Sequence, residues 1–207
     1  MDRDHPGYLC HRLVVGYRGC DCRTAERVLL RGEHLRKSRN AYDWLGEGIY
    51  FWEHGYQRAA EFAQWKKTRG EIEDPVVIGA FIHLGRCFDL TDTWATSRLS
   101  DYYDLMRESF EQQERPMPQN RPAGVDDFDL VLRDLDCAVL NIALRMLDEK
   151  VGAERTYFQT VRGAFVEGEP AYQGACIHAK THVQISVREQ SCILGYFQPS
   201  ARYTEGS

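Results

Sequence analysis

The sequence predicts an α+β fold, and three observations carry that expectation. Apolar residues recur every three or four positions between Leu130 and Leu147, the period of an amphipathic helix. Val183, Ile185 and Val187 alternate with His182, Gln184 and Ser186, the period of a half-buried strand. Short strand-like and helix-like segments interleave along the chain without internal repeats or low-complexity tracts. The 207 residues, 43% hydrophobic and 28% charged, suffice for one packed domain and exclude wholesale disorder.

The elements follow in order. Residues 12–18 (RLVVGYR) have a β-branched centre and read as a strand that ends at Gly19, followed by a helix from about 24 to 30 that Gly32 stops. A polar loop (SRNAYDWLGEG) leads to a brief strand at 49–51. A helix at 56–67 comes next, whose Ala59, Ala60 and Ala63 permit close packing. Residues 76–84 (VVIGAFIHL) are the most apolar strand candidate, continued by 87–90. An acidic helical and loop insertion is expected at about 93–150, with QQERPMPQNRPAG its clearest loop and 130–147 its helix. Strands near 164–167, 182–188 and 193–197 complete the chain as a single domain spanning 1–207.

Net charge is −5 but unevenly spread: 13 Lys/Arg against 9 Asp/Glu in residues 1–69, then 8 against 17 in residues 70–150. The cluster Arg23, Arg27, Arg31, Arg36, Lys37 and Arg39 suits either a pyrophosphate or nucleic-acid backbone, or a solvated helix face. Seven scattered cysteines and a polar, charged N-terminal segment lead us to expect reduced thiols in a soluble, cytoplasmic, non-membrane protein. No metal site is expected, because Cys20 and Cys22 are one residue apart and no HxH or HExxH pattern occurs.

The chemistry concentrates at Gly46-Glu47-Gly48-Ile49-Tyr50-Phe51, a glycine-rich turn running into an aromatic strand and then an alanine-bearing helix. Upstream stands Gly16-Tyr17-Arg18-Gly19-Cys20 at a strand end, and downstream Thr181-His182-Val183-Gln184-Ile185-Ser186-Val187. These three motifs, in this order, resemble the catalytic domain of poly(ADP-ribose) polymerases and small bacterial ADP-ribosyltransferase toxins. The resemblance implies a split mixed or antiparallel sheet with flanking helices. It also implies NAD⁺ as substrate, cleaved at the nicotinamide ribose, with ADP-ribose passing to a protein or nucleic-acid acceptor. Small bacterial members are often toxins or phage-defence effectors, so an antitoxin or inhibitor protein is a further partner.

Physical reasons stand beside the likeness. Nicotinamide is a flat carboxamide that wants an aromatic face, which Tyr50 supplies with Tyr17 or Trp52 flanking, and close backbone approach, which Gly19 and Gly48 permit. Arg39, Asp43 and Trp44 belong to the loop expected to cover NAD⁺. Cleavage builds positive charge on the ribose, so the transition state profits from a negative or polar acceptor. The family places glutamate at the third catalytic position and histidine on the first strand. This chain has Gln184, with His182 on the same face, and Arg18, a cation suited to phosphate or ribose. Glu167 and Glu169 are the nearest carboxylates for the missing base, and Arg162 is a further cation for phosphate or target. Water as acceptor would make the chain an NAD⁺ glycohydrolase; without cleavage it would be a silent NAD⁺ or ADP-ribose binding module.

Overall fold

The computed structural model describes residues 9–124, 129–152 and 157–200. Strand β1 (Leu9–Asp21) enters helix α1 (Cys22–Arg31), whose first turn is capped by the Asp21 carboxylate accepting from Arg23 N–H and whose end is closed by Gly32. Then come β2 (Ile49–Glu53), α2 (Tyr56–Thr68), β3 (Pro75–Asp89), α3 (Thr93–Gln112), β4 (Asn120–Arg121) and β5 (Leu132–Arg133). Helix α4 (Asp134–Val151) and strands β6 (Thr160–Phe165), β7 (His182–Val187) and β8 (Ile193–Phe197) follow. The fold is α+β with a mixed six-stranded sheet, antiparallel everywhere except the β3–β6 pair.

The pairings close on themselves: β1 joins β2, β2 joins β7, β7 joins β6, β6 joins β3, and β3 returns to β1, with β8 added to β3. Two links in this ring are short. Strands β1 and β2 meet only at Gly16↔Glu53 and Tyr17↔Trp52, and β3 meets β6 only over Cys87–Asp89. The long β1–β3 ladder is the backbone of the ring, running from Leu9↔Arg86 to Asp21↔Pro75.

Alternation sorts side chains between the two faces. Val14, Phe51, Ile78, Ile82, Ile185 and Val187 form one core, which Ala25 and Val28 of α1 cover. On the opposite face Phe88 and Val161 pack with Met106 of α3 and Leu140 and Leu144 of α4. Each such side chain, fully buried, stabilises the fold by about 1.5–3 kcal/mol relative to exposure. A third cluster joins Tyr17 and Trp52 to Ala59 of α2.

Several boundaries differ from the sequence expectation. The first strand runs to Asp21 because β3 pairs with it throughout. The acidic stretch holds a 20-residue helix, α3, whose Ala95, Tyr102 and Met106 bury one stripe at helical spacing. The helix expected from 130 begins at Asp134, because Leu132 and Arg133 pair with Arg121 and Asn120. Asn120 Oδ1 then accepts from the N–H groups of Leu135 and Asp136, so the cap is supplied from outside the helix. The strand expected near 164–167 runs instead from Thr160 to Phe165, short of Glu167. Cys20, Cys22, Cys87, Cys137, Cys176 and Cys192 are free thiols; Cys10 lies among residues whose side chains are not described. Among the described residues, no helix is long and apolar enough to cross a membrane.

Candidate functional site

Strands β1 and β2 part immediately after the Tyr17↔Trp52 pair, and Arg18 is the first residue beyond the parting. Its Nη1 reaches across and donates to the Tyr50 carbonyl at 3.1 Å. The guanidinium therefore occupies the split that the lost ladder bonds leave. A cleft of about 290 Å³ opens beside it, walled by Arg18, Gly19 and Asp21 of β1, by Arg27 of α1, by Arg36, and by Lys66 of α2.

Lys66 arrives there by helix geometry. Ala59, Ala63 and Lys66 lie four and three residues apart on one face of α2. The alanines press against β1: a Cβ on Gly19 would collide with the Ala59 carbonyl oxygen and sit 2.8 Å from the Ala63 Cβ. The space that Gly19 leaves open thus admits helix α2, one turn ahead of Lys66.

Two cations meet in the cleft without a counter-ion bound to either. Neither Arg18 nor Lys66 stands in an ion pair among the described residues. Burial lowers both from their ordinary values, and for Lys66 the like charge of Arg18 lowers it further. Asp43 is the buried carboxylate whose field reaches Arg18, Lys66 and Tyr50. It accepts from Asn40 N–H at 2.7 Å, which ties the 38–46 loop into a turn. Such a cleft attracts a multiply charged anion and excludes a free cation.

The remaining expected residues gather elsewhere. The Tyr50 hydroxyl accepts from Leu45 N–H at 2.9 Å and donates to the Gly46 carbonyl at 2.8 Å, and its ring packs toward α4. Burial, then Asp43, raises that phenol well above its ordinary value. Trp44 Nε1–H donates to Gln184 Oε1 at 2.6 Å, and the Trp44 indole lies against Gly163. Gly48 backs onto β7, where a Cβ would meet Ser186 and Val187. Arg39 is exposed and bonds Glu47 at 2.8 Å across the Ser38–Gly48 bridge.

Tyr17 and Trp52 face away from Arg18. Tyr17 packs edge-on to Tyr56, and Trp52 against Phe62 and His182. His182 stacks on Phe165 and donates from Nδ1 to the Lys180 carbonyl at 2.7 Å, leaving Nε2 a bare acceptor without a partner. Glu167 pairs with Arg58 at 2.8 Å and stands 3.8 Å from His182 Nδ1, whereas Glu169 is exposed.

The structure therefore brings together Arg18, Gly19, the Tyr50 carbonyl and Asp43. It sets Gln184, Trp44 and the Tyr50 ring beneath the 44–46 turn, and His182, Glu167 and Trp52 beside α2. Arg162 is no free cation: Glu53, at 2.5 Å, and Asp89, at 3.1 Å, hold it. Lys66 was missed in the sequence, although its three-residue spacing from Ala63 was the signal that could have found it. Among the described residues no group of three His, Cys, Asp or Glu side chains is arranged to hold a metal ion. No family model, curated protein or solved structure matches the chain.

Proposed function

We propose that the chain binds NAD⁺ in this cleft and cleaves it at the nicotinamide ribose, passing ADP-ribose to a macromolecular acceptor. One observation carries the proposal: Arg18 fills the parting of β1 and β2 next to Lys66, two cations with no carboxylate bound to either. A pyrophosphate satisfies both through charge-assisted hydrogen bonds. The glycine-turn motif that resembles the ADP-ribosyltransferases leads into the other lip of the same parting, which makes a transferase-like split sheet the fold that goes with this function.

In this scheme Arg18 and Lys66 grip the diphosphate, and the 38–46 loop closes over it. Asp43 supplies the negative field that favours charge building on the ribose as nicotinamide leaves. Gln184 serves as a positioning group, its carbonyl oxygen holding the Trp44 indole of that loop. Nicotinamide departs with the electron pair of the glycosidic bond, and the acceptor's O–H or N–H nucleophile forms the new bond at the ribose carbon while its proton passes to solvent.

Calorimetric titration with NAD⁺ and chromatographic assay of released nicotinamide test this. Arg18→Ala and Lys66→Ala are each expected to weaken NAD⁺ binding by about 10- to 100-fold, the loss of a hydrogen bond to a charged group. Unchanged affinity in both would refute the site.

A second function, silent NAD⁺ binding, is favoured by a specific fact: the Gln184 carbonyl and the Glu167 carboxylate are both already engaged, by Trp44 and Arg58. Tight NAD⁺ binding with no nicotinamide above background would decide for it.

A further inference from the structure

We infer that the rim of the cleft is a landing surface for single-stranded nucleic acid. Resting on the transferase reading above, we further infer that this strand is the acceptor. The carrying observation is a pair of exposed aromatic side chains, one on the helix that lends Lys66 to the cleft and one on the 38–46 loop. Trp65 of α2 is 45% exposed and Tyr42 of the loop 43%.

The two aromatics come from different elements. The Arg69 guanidinium lies over the Trp65 ring at 4.6 Å, while burial, then the charges of Asp43 and Glu71, raise the Tyr42 phenol against the opposing charge of Arg69. Phe62 stacks on Trp65 at 5.5 Å and 23°, so the indole is already held in place. An exposed tryptophan ordered by a neighbouring ring and a cation is a stacking platform prepared before any ligand arrives.

Cations outnumber carboxylates around the cleft, where Arg18, Arg27, Arg36 and Lys66 stand against Asp21 and Glu33. Arg23, Arg27 and Arg31 follow at four-residue intervals, so they form one row along α1, and Arg36 and Lys37 extend it into the loop. Lys66 stands on the facing wall, and Lys67 follows it in the last turn of α2. The ion pairs on this face hold Arg23, Arg27 and Arg69. Among the described residues Arg31, Arg36, Lys37, Lys66 and Lys67 stand in none. A chain with a net charge of −5 thus keeps a local surplus of uncompensated cations beside two aromatic faces. Single-stranded nucleic acid alternates flat bases with one negative phosphate per nucleotide and matches both features, whereas a protein acceptor has no such repeat.

The test uses the full chain without NAD⁺ and a fluorescent single-stranded RNA of about 20 nucleotides, with DNA of the same sequence in a parallel arm, followed by anisotropy. Affinity is expected to fall with salt, with a log–log slope of about −2 to −4. Trp65→Ala and Tyr42→Ala should each weaken binding about tenfold while Trp65→Phe retains it. The pair Arg31→Glu with Lys67→Glu should weaken binding and flatten the slope; circular dichroism confirms that each variant is folded. A second incubation adds labelled NAD⁺ and separates nuclease-sensitive from protease-sensitive label.

Strand binding with these variant effects, and label in the nuclease-sensitive fraction, supports the whole proposal. Strand binding without nicotinamide release upholds the surface and overturns the transferase reading. Nicotinamide release with label only on protein, and no strand binding at about 150 mM salt, overturns the surface and leaves the transferase reading standing.

Discussion

His182 shows how a single side chain is set by its surroundings. Burial, ahead of the Arg58 charge, holds its imidazole below the ordinary value, against the Lys180 carbonyl and Glu167, which favour the protonated form. The unfolded chain therefore takes up a proton on His182 before the folded chain does. Stability from this group is fully present above the unfolded value of about 6.5 and is lost as pH falls toward the lower folded value. Thermal melts of the wild type between pH 7.5 and pH 5 should show a decline in Tm that His182→Gln reduces. An equal decline in both would move its origin to another group. Arg18 and Tyr50 stood out in the sequence as candidate residues because each lies within two positions of a glycine at a strand end, yet the direction of each side chain was not legible. Which face Tyr50 took depended on α4, some 90 residues away in the chain, whose contact no local pattern announces.

At the scale of elements, α2 is placed by what β1 lacks. Gly19 admits the Ala59 carbonyl and the Ala63 methyl, and this approach carries Lys66 to the cleft. Gly19→Ala should cost about 2–3 kcal/mol, toward the upper end for overpacking, because the obstructing atom is main chain and cannot turn aside. For a chain of this size that lowers Tm by roughly 4 to 12 °C. NAD⁺ affinity should fall with it, as Lys66 is displaced, and a variant with unchanged Tm would show that the helix yields freely. The helices with small or periodic apolar faces, α2 and α4, were readable from spacing. Helix α3 was not, since its buried stripe of Ala95, Tyr102 and Met106 is thin and most of its surface is charged or polar. The start of α4 was unreadable for a different reason, its cap coming from Asn120 across a two-residue pairing.

For the whole molecule, the ring of pairings depends on a buried charge network at the end opposite the cleft. Arg162 of β6 bonds Glu53 of β2 and Asp89 of β3, with Arg12 of β1 3.9 Å from Glu53, so one guanidinium ties strands that never pair directly. Glu53 and Arg162 have side chains only 7% and 11% exposed. Removing Arg162 strands two carboxylates, and Arg162→Ala should therefore cost about 3–5 kcal/mol. Urea titration measures this, and a loss under 1 kcal/mol would mean the network is slack. Strand content and the α+β class were visible from alternation and period. Closure was not, because each short link rests on only two or three residues whose partners are more than 30 positions away.

That closure bears on how copies of the chain meet one another. A strand flanked on both sides has no row of free amides for a neighbour to zip onto, and in the ring β2, β6 and β7 each have two neighbours. Strand β8 has one, yet it is only five residues long and Gly195 interrupts it. Among the strands of the ring, open edge is therefore left to β8, which is too short and interrupted to template a neighbour well, and to the stretches of β1 that β2 leaves unpaired.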